Sequence, residues 1–144
     1  MADQTTQHLH IEAPLSSIWE VLTDFEHYTD WAWDLKEVRV VERDDEGRAT
    51  AVHYRAAGMG RSTSYTLRYR WDDAPNRLPW ELVEGDIMRV LDGAYEFAER
   101  DGGTDVTYHL RVELVVPLPG FVKRRAEARI VSTALRDLRD HLTG

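Results

Sequence analysis

From Leu35 to Val116 apolar and polar residues alternate with a period of two, in six segments broken by short turns. The segments are Leu35–Arg43, Ala49–Ala57, Ser62–Trp71, Leu78–Glu84, Ile87–Arg100 and Thr104–Val116. Between them stand Asp44-Asp45-Glu46-Gly47, Gly58-Met59-Gly60, Asp72 to Asn76, Gly85-Asp86 and Asp101-Gly102-Gly103, all turn formers. Loops this short join only antiparallel neighbours, so the six segments predict one meander. An antiparallel sheet with one apolar face must bury that face under something else. The candidate cover is Phe121–Leu142, which follows Pro117 and Pro119-Gly120 and places Ile130, Val131, Ala134, Leu135, Leu138 and Leu142 on one helical face.

Ahead of the meander, Thr5–Glu12 predicts a strand with Leu9 and Ile11 on one face. Pro14 opens a helix, as its fixed φ and missing N–H suit, and Leu15, Ile18, Trp19, Leu22 and Phe25 form its apolar stripe. A short second helix or turn then covers DFEHYTDWAWD, residues 24–34. The predicted order is β-α-α-β6-α, an α+β fold in which a curved antiparallel sheet of about seven strands grips the last helix. At 144 residues this is one domain, spanning residues 1–144.

Composition removes several function classes. Eighteen basic residues against twenty-six acidic leave a net charge of −8, which repels phosphate backbones and argues against a nucleic-acid partner. No apolar run approaches the roughly 20 residues that span a bilayer, so no stable membrane insertion is expected. The opening MADQTTQHLHIE lacks the basic and apolar regions of a secretory signal, and with no cysteine in the chain a cytoplasmic location is expected. The one basic concentration, Lys123-Arg124-Arg125 with Arg129, reads as a solvated helix face, or as a weak contact with an anionic membrane surface or partner. A monomer or homodimer is expected.

The run IEAPLSSIWEVLTDFEHYTDW resembles the opening of the START/polyketide-cyclase-like superfamily, whose fold is called helix-grip. RLPWELVEG, GAYEFAERDGGTDVTYHLRVEL and the PLPGF entry to the last helix continue the likeness over almost the whole chain. The closest resemblance is to bacterial coenzyme-Q-binding-type and polyketide cyclase/dehydrase-type members. It implies a ligand cavity between the sheet and the C-terminal helix, with Ala126 and Ala134 leaving room there.

Alternation assigns Thr63, Tyr65, Leu67, Tyr69 and Trp71 to one face, Trp80 and Leu82 to one face, and likewise Gly93, Tyr95 and Phe97, and Val106, Tyr108, Leu110, Val112 and Leu114. A face so rich in tyrosine and tryptophan suggests an apolar pocket with a few placed hydroxyls rather than a dry aliphatic core. The expected ligand contacts are Trp33, Tyr54, Tyr65, Leu67, Tyr69, Trp80, Leu82, Tyr95 and Tyr108. The expected partner is a hydrophobic small molecule such as a lipid, an isoprenoid quinone or a polyketide.

Chemistry is sparser. The histidines at 8, 10, 27, 53, 109 and 141 show no metal-ligand spacing, and there is no GxSxG elbow or phosphate-binding loop. No metal or cofactor is expected. The enzymatic alternative is a polyketide cyclase/dehydratase with Glu84, Arg89 and Tyr95 as acid-base groups. Glu84 would face inward with Trp80 and Leu82 unless a bulge intervenes. In DFEHYTDWAWD, Phe25 belongs to the core, Tyr28 and Trp31 share a helical face, and Trp33 reaches toward the pocket rim. The acidic residues there cap and solvate, and His27 is a candidate pH-sensitive rim residue.

Overall fold

The computed structural model describes residues 4–58, 61–116 and 118–143. The chain runs β1 (Thr5–Ile11), α1 (Leu15–Thr23), a 3-10 helix (Phe25–Asp30), β2 (Leu35–Arg43), β3 (Ala49–Gly58), β4 (Arg61–Tyr69), β5 (Arg77–Gly85), β6 (Met88–Arg100), β7 (Gly103–Leu114) and α2 (Gly120–Thr143). All seven strands form one antiparallel sheet in the order β1-β7-β6-β5-β4-β3-β2. Only β1 departs from the meander. It pairs with β7, Thr5 opposite Leu110 and Ile11 opposite Thr104, so α1 and the 3-10 helix carry the chain from one edge of the sheet to the other.

Turn chemistry explains the hairpins. Asp101 and Gly102 both have positive φ, 53° and 79°, and bridge β6 to β7 in a two-residue loop of the type that matches strand twist. At the β2–β3 turn the Asp44 carboxylate accepts the backbone N–H groups of Glu46 and Arg48, at 3.0 and 2.9 Å. Pro14 sits one residue earlier than its φ alone suggests. It is the N-cap, extended at ψ 154°, and its carbonyl accepts the N–H groups of Ser17 and Ile18. Trp71 falls just past the end of β4, where its indole N–H donates to the Ala49 carbonyl at 2.9 Å.

The core lies on the concave face. Ile11, Val52, Leu78, Val106 and Leu110 from the sheet, Ile18 and Leu22 from α1, and Val131 and Leu138 from α2 are almost wholly buried. Ile130, expected on the inner face of α2, is instead exposed, because the buried stripe runs Glu127, Val131, Leu135, Leu138. That stripe packs against β1 and β7. Farther along α2, His141 stacks on Trp31 with centroids 6.0 Å apart. The helix thus contacts the β1–β7 side of the sheet near its start and the segment before β2 near its end.

Candidate functional site

The concave floor is a series of aromatic residues set opposite one another across strands. Tyr54 on β3 faces Tyr65 on β4, stacked at 5.3 Å; Tyr69 on β4 faces Trp80 on β5 at 5.9 Å; Tyr95 on β6 faces Tyr108 on β7 at 4.6 Å. Trp80 continues the series because its register partner is Gly93. A Cβ there would stand 2.6 Å from the indole and 2.4 Å from the His109 carbonyl oxygen, so only glycine lets the ring lie over β6. From that seat Trp80 reaches Tyr95 at 5.4 Å and Tyr108 edge-on at 5.5 Å. Phe25 and Tyr28 close the near side against Tyr69 and Tyr54.

The chain has six tyrosines, and all six belong to this cluster. Burial is the main cause raising every one of their pKa values, so each phenol stays neutral at physiological pH. Three hydroxyls are engaged by the protein: Tyr28 donates to the Leu22 carbonyl, and Tyr54 and Tyr69 bond each other at 2.5 Å. Among the described residues, the hydroxyls of Tyr65, Tyr95 and Tyr108 have no protein partner. Among the described residues the one fully buried carboxylate, Glu127, accepts the Val112 N–H at 3.0 Å and the more distant Thr5 hydroxyl at 3.4 Å. The tyrosine cluster itself is therefore apolar, and three of its phenols have no partner among the described residues.

The expected contacts divide cleanly. Tyr54, Tyr65, Leu67, Tyr69, Trp80, Leu82, Tyr95 and Tyr108 all belong to the core cluster or pack against it. Trp33 does not: it is 66% exposed, and its neighbour Trp31 is buried instead, beside Tyr28 at 5.2 Å. Of the acid-base candidates only Tyr95 is inside. Thr66 pairs with Glu84 and Leu67 with Leu82, so Val83 is an extra residue on β5 that turns Glu84 out to solvent. Arg89 is exposed as well. His27 bonds Asp24 at 2.8 Å on the surface, which raises its pKa. Among the described residues no three histidine, aspartate or glutamate side chains are grouped to hold a metal ion.

Sequence reasoning missed Glu127 and, although it paired Trp31 with Tyr28, assigned the pocket to Trp33. Glu127 carried a signal, since it stands four residues before Val131 on the apolar stripe of α2. Two open grooves are lined by no tyrosine, although Trp80 borders the first. One, of about 410 Å³, crosses the convex face between Arg70, Arg77, Glu81, Asp92 and Arg111. The other, of about 530 Å³, separates Leu15 and Trp19 of α1 from Ala74 and Pro75.

With this geometry in place, the family can be assigned. A family model described as polyketide cyclase / dehydrase and lipid transport matches residues 11–139. The chain belongs to that family. Solved structures of polyketide cyclase-like and START proteins share its helix-grip fold. A START superfamily protein from Mycobacterium smegmatis superposes with a TM-score of 0.92 at 18% identity, covering 96% of each chain. The Zhui aromatase/cyclase from Streptomyces sp. R1128 gives 0.83 at 18% identity, covering 99% of this chain and 94% of its own. A STAR-related lipid transfer protein from Xanthomonas axonopodis gives 0.75 at 17% identity, with 98% and 86% covered. No curated protein sequence matches this member of the family. Among the described residues no helix is long and apolar enough to cross a membrane.

Proposed function

We propose that this polyketide cyclase-family chain binds an uncharged hydrophobic or aromatic small molecule between the sheet and α2, without covalent chemistry, and acts in the cytoplasm. The observation that carries this reading is the set of three unpartnered hydroxyls, Tyr65, Tyr95 and Tyr108, within an aromatic lining. A ligand offering carbonyl or hydroxyl oxygens satisfies them while its apolar surface replaces water, worth about 25 cal/mol per Å² before ordering costs. Candidates are an isoprenoid quinone, a polyketide-like ring system or a neutral lipid. Likeness to an aromatase/cyclase keeps the cyclase/dehydratase reading as the alternative. With Glu84 and Arg89 at the surface, that chemistry would rest on Tyr95 and its neighbouring phenols, which are too weakly acidic at neutral pH to exchange protons readily.

The direct test is organic extraction of the purified protein followed by mass spectrometry, with titration of the extracted compound against the stripped chain. A stoichiometric neutral ligand is expected. A chain that yields no such compound and whose melting temperature is unmoved by quinones, polyphenols and neutral lipids contradicts the proposal. Two conservative variants sharpen it. Tyr95→Phe and Tyr108→Phe remove hydroxyls that the protein does not use, so stability stays within about 0.5 kcal/mol, whereas Tyr54→Phe strands the Tyr69 hydroxyl and costs about 1 kcal/mol. Each of the first two should nevertheless weaken ligand binding about fivefold, the equivalent of one hydrogen bond.

A further inference from the structure

One end of the sheet carries the β5–β6 turn and the connection from β7 to α2, tied by the Val115 N–H donating to the Ile87 carbonyl at 2.9 Å. Val115, Val116 and Phe121 project there, 50%, 72% and 65% exposed. Phe121, Arg125 and Arg129 follow at four-residue spacing, so they form one row along the first turns of α2, with Arg124 beside it and Lys123 on the far side of the helix. Nine arginines elsewhere in the chain hold carboxylates in ion pairs. Among the described residues, Lys123, Arg124, Arg125 and Arg129 make no such pair. The one acidic residue among them, Glu127, is 1% exposed and turned to the sheet. A protein of net charge −8 therefore presents three unneutralised, exposed arginines next to three bare apolar side chains.

We propose that this tip docks the protein on an anionic lipid bilayer. Cationic side chains meet the headgroup charge while Phe121 and the valines enter the boundary between headgroups and acyl chains. The apolar side chains stand proud of the surface, and neither open groove includes them, so the patch suits a deformable, flat partner better than a peptide that needs a slot. This docking goes beyond the cavity reading and stands without it.

The test is co-sedimentation of the purified chain with sucrose-loaded vesicles, comparing phosphatidylcholine alone with an equal mixture of phosphatidylcholine and phosphatidylglycerol. Binding is expected only to the mixture, and it should fall steeply with added salt. The triple variant Arg124→Gln, Arg125→Gln, Arg129→Gln should lose roughly 100-fold in partitioning, at about one kcal/mol per removed charge, and Phe121→Ser should lose about tenfold. All four side chains are exposed, so melting temperatures should match the parent and certify folding. Absence of binding to the mixed vesicles, equal binding to neutral ones, or full binding by the triple variant each overturns the proposal. Vesicle binding requires no cavity ligand, so its failure leaves the extraction experiment unaffected.

Discussion

Trp80→Ala is expected to lower the unfolding free energy by about 3–5 kcal/mol, the range for removing a large aromatic side chain from a packed core. The indole sits where three aromatic neighbours meet, against Tyr69, Tyr95 and Tyr108, and over a glycine that leaves its ring a seat. No nearby side chain can collapse into the space, since Gly93 has none and the tyrosines are held by their own strands. Urea denaturation with an unchanged slope and a lower midpoint is the expected record. A loss under about 1 kcal/mol would mean that the surrounding aromatics close over the vacated space instead of leaving it empty.

Glu127→Ala is the second large effect. Beyond the pair Thr5–Leu110, the Val112 N–H on β7 is taken by a side chain from α2, the Glu127 carboxylate. Truncation leaves that buried donor without its acceptor and removes one of the polar ties between helix and sheet, at a cost of about 2–3 kcal/mol. Glu127→Gln keeps an acceptor oxygen and should recover at least half of the loss. Hydrogen exchange at the Val112 amide separates this from a general loosening: it should speed up in the alanine variant and recover in the glutamine one. Equal stability of all three proteins would show that the bond contributes nothing.

How much of this was legible beforehand depends on which period governed each residue. Strand alternation is a strict two, so Tyr65, Tyr69, Tyr95 and Tyr108 fell on the apolar faces of their strands, and each belongs to the core cluster or packs against it. The exceptions lie where the period breaks. Val83 is as apolar as Leu82, so nothing in the letters marks it as the supernumerary residue, and Glu84 could be placed only conditionally. Trp31 and Trp33 follow a 3-10 turn, whose geometry no heptad or alternation template covers, and the burial fell to the other tryptophan. Glu127 was hidden by habit of reading: a charge on an apolar stripe is taken as a flaw in the stripe, although a backbone donor opposite makes it a fit.

The enclosure of every tyrosine sets an alkaline ceiling on this protein. A phenol ionises near pH 10 in the unfolded chain, whereas burial holds all six native phenols above that value. For an acid whose native pKa is raised, the stabilisation is complete below the unfolded value and drains away as pH climbs past it. Six such groups act together, so the folded state should stay spectroscopically silent in tyrosinate absorbance and then ionise in one cooperative step as it unfolds. Base, for this molecule, is a denaturant that works from the inside of the fold.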